Sequence, residues 1–118
     1  MEEPKTFREF WDFYVHEHSH PATRVLHFVG TISGVVILFW LMARGSWFLF
    51  PLALVPGYAF AWISHFFVEH NRPATFKYPL WSFAGDWKML WLMLQFKMES
   101  EVERVMRRKT SGFDSTDL

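Results

Sequence analysis

The chain has 118 residues, a formal net charge of zero and no cysteine, while 51% of its residues are hydrophobic and 20% are aromatic. This length suits one domain, which we expect over residues 1–110, followed by a disordered tail at 111–118. The balanced charge argues against nucleic acid as a partner, because no basic field attracts phosphates. Without cysteine there is no disulfide framework and no thiolate site, so any metal must be bound by nitrogen and oxygen.

The N-terminal segment predicts an amphipathic helix. Thr6 and Glu9 have the spacing of a capping box, so the helix should begin after Thr6. Aromatic and histidine side chains then recur at helical spacing, at Phe7, Phe10, Trp11, Tyr14 and His18. Pro21 disfavours helical backbone at the preceding residue, so the helix should end near Ser19. Charged residues precede the first apolar run, and we therefore expect no cleavable secretory signal.

Two long apolar runs follow, each close to the length that crosses a bilayer. No charged residue occurs at 25–43 or at 47–68, and roughly 20 apolar residues span the hydrocarbon core. The polar break at 44–46 is short, so the runs predict an antiparallel transmembrane hairpin. Gly30 and Gly34 would allow another helix to approach closely, which also suggests a homodimer. The alternative is a buried helix pair in a soluble bundle.

The hairpin predicts that the histidine-bearing ends of both runs lie on one side of the membrane. Basic residues are concentrated at that end, at Lys5, Arg8, Arg24, Arg72, Lys77 and the C-terminus. The far loop has only Arg44. Since cytoplasmic loops carry an excess of Lys and Arg, we expect the histidine end to be cytoplasmic.

After the hairpin we expect an irregular or re-entrant segment at 76–84 and then a last helix. Asp86 could cap this helix, which should run from Trp87 to about Lys109 and changes from apolar to charged after Lys97. The predicted fold is all-α: an integral membrane helical bundle with an antiparallel transmembrane hairpin and amphipathic N- and C-terminal helices.

Histidines are the most unusual feature of the sequence, with six in the chain, all near helix ends. Ionisable or metal-binding side chains at membrane depth are costly and point to function. His18, His27 and His65 fall on one side of the hairpin, and Glu69 lies one helical turn after His65. These four residues are the candidate catalytic and metal-binding set, and their chemistry suits zinc or iron(II). The roles of His16, His20 and His70 stay undefined.

Neighbouring polar residues could orient the imidazoles. Tyr14, Asn71 and Asp86 are candidates for this outer layer of a metal site, although helix capping explains Asp86 equally well. Arg24 and Arg72 are candidates for binding a substrate carboxylate.

Several motifs resemble the Mpo1-like family of small membrane proteins, long classed as a domain of unknown function. The motifs are Tyr14-x-x-x-His18, Pro21-x-x-Arg24-x-x-His27-Phe28-x-Gly30-Thr31, Gly57-Tyr58-x-x-Ala61-Trp62-x-x-His65-Phe66-Phe67-x-Glu69-x-Asn71-Arg72-Pro73-Ala74-Thr75-Phe76 and Gly85-Asp86-Trp87. Its fungal member acts in the conversion of phytosphingosine to odd-chain fatty acids. The resemblance covers roughly 7–98.

The resemblance implies a membrane protein of the endoplasmic reticulum or the bacterial inner membrane. It also implies an Fe(2+)-dependent dioxygenase that shortens 2-hydroxy fatty acids by one carbon in α-oxidation, with O2 as the second substrate. The family's histidines fall on His18, His27 and His65. Combined with the residue chemistry, this gives the hypothesis that these histidines and Glu69 hold iron while Arg24, Asn71 and Arg72 bind the hydroxy acid.

Two other functions stay open at this point. A non-catalytic membrane scaffold or lipid-binding protein would use its histidines only to satisfy one another. A zinc-dependent membrane hydrolase would use the same nitrogen and oxygen ligands. A histidine-box diiron oxygenase is disfavoured, because such sites use more histidines than this chain has.

Overall fold

A computed structural model describes residues 3–111, with side chains up to residue 108. The described residues form five α-helices and no strand: α1 (Phe7–Glu17), α2 (Pro21–Ala43), α3 (Val55–Ser64), α4 (Pro79–Leu94) and α5 (Met98–Ser111). Trp47–Leu54 and Ala74–Phe76 are 3-10 helices, and His65–Glu69 is a π-helical turn. The all-α prediction is confirmed. The predicted tail lies outside the described residues, apart from Ser111 at the end of α5.

The chain divides into two compact units. One is His20–Pro73, and the other consists of the described parts of Met1–Ser19 and Ala74–Leu118.

In the unit His20–Pro73, α2 begins at Pro21 and ends at Ala43, just before the polar break at 44–46. Pro21 occupies the first turn, where its missing N–H is not needed. At the other end, Gly45 has a φ of +73°, a left-handed conformation that glycine adopts without a Cβ clash. The N–H of Gly45 bonds the carbonyl of Met42 at 3.0 Å, and that of Ser46 bonds the carbonyl of Leu41 at 2.8 Å. These two bonds form a Schellman motif, which reverses the chain within three residues.

The two apolar runs then pack closely because α2 presents glycines to the returning chain. A Cβ on Gly34 would lie 2.4 Å from the carbonyl oxygen of Ala53, and one on Gly30 would lie 2.9 Å from that of Pro56. The predicted close approach at these glycines is therefore confirmed, and it occurs within the hairpin. This face gives no support to the predicted homodimer.

The second run is less regular than the first. Pro51 lies inside the 3-10 helix Trp47–Leu54 and lacks the N–H that a regular α-helix would use there. Pro56 lies in the first turn of α3, where that N–H is not needed. The run ends in the π-turn His65–Glu69, which is closed by a left-handed residue, His70, with a φ of 58°. The residue spacing around His65 is consequently not that of the regular α-helix assumed from the sequence.

Two segments are long and apolar enough to cross a membrane: Pro21–Ala43 and Trp47–Glu69, each of 23 residues, with mean hydropathies of 2.1 and 1.5. In the most apolar 18-residue stretch of each segment, only 22% and 11% of the residues are buried, whereas a core helix of a soluble protein is mostly buried. The exposed side chains include Val36, Phe39, Trp40, Trp47, Phe48 and Phe50.

In the other unit, α1 is the central element. The Thr6 hydroxyl accepts from the Glu9 N–H at 3.2 Å, so the predicted helix start is confirmed. Glu9, however, accepts from the Lys5 N–H at 2.7 Å, one residue earlier than a capping box requires. The aromatic face is buried as predicted: Phe10, Trp11 and Tyr14 are each at most 2% exposed.

The C-terminal helices differ from the sequence prediction. Helix α4 begins at Pro79, so the expected irregular segment at 76–84 is largely helical, because a proline in the first turn costs no hydrogen bond. Asp86 lies inside α4 and is not its cap. The helix ends at Leu94, where Phe96 takes a left-handed φ of 58° and the Lys97 N–H bonds the Leu92 carbonyl. The single helix predicted over 87–109 is therefore wrong.

Helix α5 binds α1 through both apolar and charged contacts. Met98 and Val105 enter the core beside Phe10 and Trp11. Trp11 Nε1 donates to Glu101 at 2.9 Å, and Arg104 donates to Asp12 at 2.8 Å. The charged residues that follow Lys97 in the sequence thus hold α5 against α1, and its amphipathic character is confirmed.

Candidate metal centre

His27 and His65 lie side by side in the hairpin. Their ring centroids are 5.2 Å apart and the rings are nearly perpendicular, at 88°. Both residues are buried, with exposures of 5% and 2%. His27 is supplied by the first half of α2, and His65 follows the last residue of α3.

Hydrogen bonds at Nδ1 fix the tautomers of both rings. His27 Nδ1 donates to the carbonyl oxygen of Thr23 at 2.8 Å, and Ser64 Oγ lies 3.3 Å away. His65 Nδ1 donates to the side-chain oxygen of Asn71 at 2.7 Å. A carbonyl oxygen can only accept, so Nδ1 carries the proton in these rings. In this tautomer Nε2 carries the lone pair that a metal would bind.

His18 has the same arrangement at the end of α1. Its Nδ1 donates at 2.7 Å to the carbonyl oxygen of Tyr14, four residues earlier, just as His27 donates to Thr23. The residue is 1% exposed. Its ring stacks on the Tyr14 ring, with centroids 3.9 Å apart and an interplanar angle of 18°.

These three histidines form a group that could hold a metal ion. Each offers one ligand atom, and the three atoms all lie within 4.8 Å of one another. Three imidazole nitrogens are the ligand set of several catalytic zinc sites, and imidazole also suits iron. Burial, tautomers and spacing therefore fit a divalent metal, and the metal's identity is left open by this ligand set.

Glu69 is not part of this group. Its carboxylate accepts from the His20 backbone N–H at 2.9 Å, just before α2 begins. Because His65–Glu69 is a π-turn, the one-turn relation expected from a regular helix does not apply. The assignment of Glu69 as a fourth ligand stays a prediction. His20 caps α2, since its Nδ1 accepts from the Ala22 N–H at 3.1 Å.

The other sequence-predicted residues differ in exposure. Arg24 is buried, at 3% exposure, three residues before His27. Asn71 is half-buried and engages His65, whereas Arg72 and His70 are exposed. His16 is half-buried in the last turn of α1.

Thr23 and Ser64 both contact His27, although neither is among the residues predicted from the sequence. The position of Thr23 four residues before a helical histidine was the signal, because a histidine Nδ1 can reach that carbonyl. Thr23 Oγ1 is also buried and has no hydrogen-bond partner among the described residues. A polar ligand on this face of α2 would satisfy it.

Tyr14, which is buried, and Asp86, which is half-buried, form a polar pair. The Tyr14 hydroxyl donates to the Asp86 carboxylate. Burial raises the pKa of Asp86 from 3.8 to about 6, although the hydrogen bond from Tyr14 acts in the opposite direction. Burial, the Asp86 charge and the same hydrogen bond all raise the pKa of Tyr14 well above its usual value. The Tyr14 hydroxyl is therefore protonated at neutral pH.

Comparison with known proteins identifies a family. A family model described as "2-hydroxy-palmitic acid dioxygenase Mpo1-like" matches residues 4–98. No curated protein matches the chain, and no solved structure does.

Proposed function

This chain belongs to the Mpo1-like family, and on that premise we propose that it is an iron(II)-dependent dioxygenase acting on 2-hydroxy fatty acids. The reaction would consume one O2 as the oxidant, break the bond between C1 and C2, and yield a fatty acid one carbon shorter together with CO2 and water, as in α-oxidation. The observation that most supports this proposal is the group of three buried histidines, His18, His27 and His65. The family description, which names a 2-hydroxy-palmitic acid dioxygenase, supports the reaction class.

The histidines would hold the metal through Nε2, while Tyr14, Thr23 and Asn71 keep each Nδ1 protonated. Bound iron(II) would supply the redox chemistry toward O2 and open positions for substrate. Burial keeps bulk water away from this group, which strengthens charge interactions there.

Substrate recognition is proposed to use the basic residues near the histidines. Arg24 is buried three residues before His27 and offers a planar guanidinium for the substrate carboxylate. Arg72 is exposed and is proposed to attract the carboxylate before it enters. Asn71 was predicted to bind substrate, but its bond to His65 supports a role in orienting that ring. The exposed apolar side chains of the hairpin would accommodate the acyl chain.

We propose that the hairpin crosses the membrane with the histidine end on the cytoplasmic side. The two apolar segments are long enough, and few of their residues are buried. Arg24, Arg72 and Lys77 lie toward one end of the hairpin in sequence, whereas Arg44 lies in its turn. A bacterial inner membrane or the endoplasmic reticulum would provide this environment, and membrane lipid would surround the hairpin.

Product analysis tests the reaction. Detergent-purified protein loaded anaerobically with iron(II) should convert 2-hydroxypalmitic acid and O2 to pentadecanoic acid, detected by mass spectrometry. Palmitic acid serves as the matched control and should not react, because it lacks the 2-hydroxyl group that would chelate the metal. Iron-loaded protein that consumes no 2-hydroxy acid of any chain length would contradict the proposal.

A zinc-dependent hydrolase is the second candidate, because three neutral histidines also match catalytic zinc sites. Preferential binding of zinc over iron, with no oxygen consumption, would favour it. A protein that binds no metal would instead favour the non-catalytic scaffold.

A further inference from the structure

We propose that Tyr14, held in place by Asp86 and Gly85, is a positioning residue that fixes the orientation of the His18 imidazole. This inference rests on the proposed function in one respect, namely that His18 is a metal ligand. It assigns to the Gly85-Asp86 pair a role in the metal site that acts through Tyr14.

Tyr14 contacts His18 with both its backbone and its side chain. The carbonyl oxygen accepts from His18 Nδ1 at 2.7 Å, and the phenol ring stacks on the imidazole at 3.9 Å. His18 needs such support because it caps α1 with non-helical backbone angles, φ −122° and ψ 33°. The helix backbone therefore does not by itself determine where the ring points.

Helix α4 in turn holds Tyr14. The phenol hydroxyl donates to Asp86, and a Cβ on Gly85 would lie 3.0 Å from Cδ2 and Cε2 of the Tyr14 ring. A glycine inside a helix costs roughly 0.5–1 kcal/mol relative to alanine, so its presence calls for a reason. Here the reason is that the Tyr14 ring lies close to the α4 backbone, so that a Cβ at this position would force the ring to shift by a few tenths of an ångström.

Core packing alone would not need this polar pair. Phe10 is equally buried in the same core and packs without a hydroxyl. Placing a carboxylate against a buried phenol carries a desolvation cost that an apolar pair would avoid. The hydrogen bond to Asp86 restricts the orientation of the Tyr14 ring. Because the His18 imidazole stacks on this ring, its orientation is restricted as well.

Cobalt(II) binding by the full chain tests the proposal, because its visible spectrum reports ligand geometry. Tyr14→Phe retains the ring and removes only the hydroxyl. We expect about 10-fold weaker cobalt binding and an altered spectrum, which is the lower end of the loss in metal affinity when a residue that orients a metal ligand is replaced. Gly85→Ala should act in the same direction by displacing the ring. Tyr78→Phe removes another hydroxyl from the same unit, and its binding should be that of the wild type.

A double variant separates positioning from general destabilisation. Asp86 acts through the Tyr14 hydroxyl, so the single variant Asp86→Asn should weaken cobalt binding. The double variant Tyr14→Phe/Asp86→Asn should bind cobalt no more weakly than Tyr14→Phe alone. Wild-type affinity and spectrum in both Tyr14→Phe and Gly85→Ala would overturn this inference alone. If the wild-type protein bound no cobalt, the inference and the proposed function would fall together.

Discussion

Asn71 contacts His65, and its substitution tests whether that contact supports the proposed metal site. Its Oδ1 accepts from His65 Nδ1 at 2.7 Å. Asn71→Ala removes this acceptor and should weaken metal binding about 10-fold, since the ring loses its fixed tautomer and orientation. Asn71→Asp keeps an oxygen at this position and should bind at least as well as the wild type. Equal metal affinity of the alanine variant, measured by titration, would contradict this role.

Asp86 should make stability depend on pH. Its pKa is raised by burial from 3.8 to about 6, so the folded protein binds this proton more tightly than the unfolded chain. The stabilising contribution of the protonated form is complete below the unfolded value and is lost as pH rises through about 6. Relative to Asp86→Asn, the wild type should lose at most about 3 kcal/mol across this window.

Denaturant unfolding of the metal-free protein in detergent measures this difference at each pH. A gap between the wild type and Asp86→Asn that stays constant from acidic to neutral pH would show that the carboxyl keeps an ordinary pKa.

At the scale of single residues, the sequence predicted that His18, His27 and His65 share one side, and the structure groups them. Their role as metal ligands stays a prediction. The contact between Thr23 and His27 was signalled only by their four-residue spacing, because the acceptor is a backbone carbonyl and the residue type gives no further indication. For Asp86 the sequence allows both a cap and an orienting residue. Its position inside α4 excludes the cap, and its contact with Tyr14 supports the orienting role. The geometry at Glu69 could not be anticipated, because nothing in the local sequence signals a π-turn.

The closeness of the two hairpin segments depends on Gly34. A methyl group there would lie 2.4 Å from the Ala53 carbonyl oxygen, which is backbone and cannot rotate away. Gly34→Ala should therefore lower the free energy of unfolding by roughly 1–3 kcal/mol. Gly57→Ala is the matched control, since its methyl would meet only the Gly30 carbonyl oxygen, at 4.0 Å.

Thermal unfolding of both variants in detergent compares the two glycines. If Gly34→Ala were as stable as Gly57→Ala, the close packing of the returning chain on α2 would be refuted.

Helix boundaries with a local signal were predicted better than those without one. Thr6 and Pro21 carry local signals that need no tertiary information, namely a capping hydroxyl and a proline ring suited to a first turn. The break between α4 and α5 has no glycine or proline, and it depends on Phe96 adopting a left-handed conformation that aromatic residues rarely take. The burial of Met98 in the core after the turn compensates for this strain. This burial depends on tertiary packing, so the local sequence does not predict it.

For the whole molecule, the absence of native cysteine allows the proposed topology to be tested directly. Ser46→Cys places a thiol in the hairpin turn, and Ser100→Cys places one on exposed α5. In intact bacterial cells that express the protein, a membrane-impermeant maleimide should label the first variant, whereas the second should react only after lysis. Equal labelling of both before lysis would contradict a cytoplasmic histidine end.

The proposed metal centre is tested most directly by measuring the metal content of the purified protein and comparing it with that of single-histidine variants. After anaerobic loading with iron(II) and removal of excess metal, elemental analysis should find about one iron per chain, as expected for a single three-histidine site. His65→Ala should lose that iron, while His70→Ala, which alters an exposed histidine outside the group, should retain it. No stoichiometric metal in the wild type, or equal iron in the two variants, would contradict a metal centre built on these three histidines.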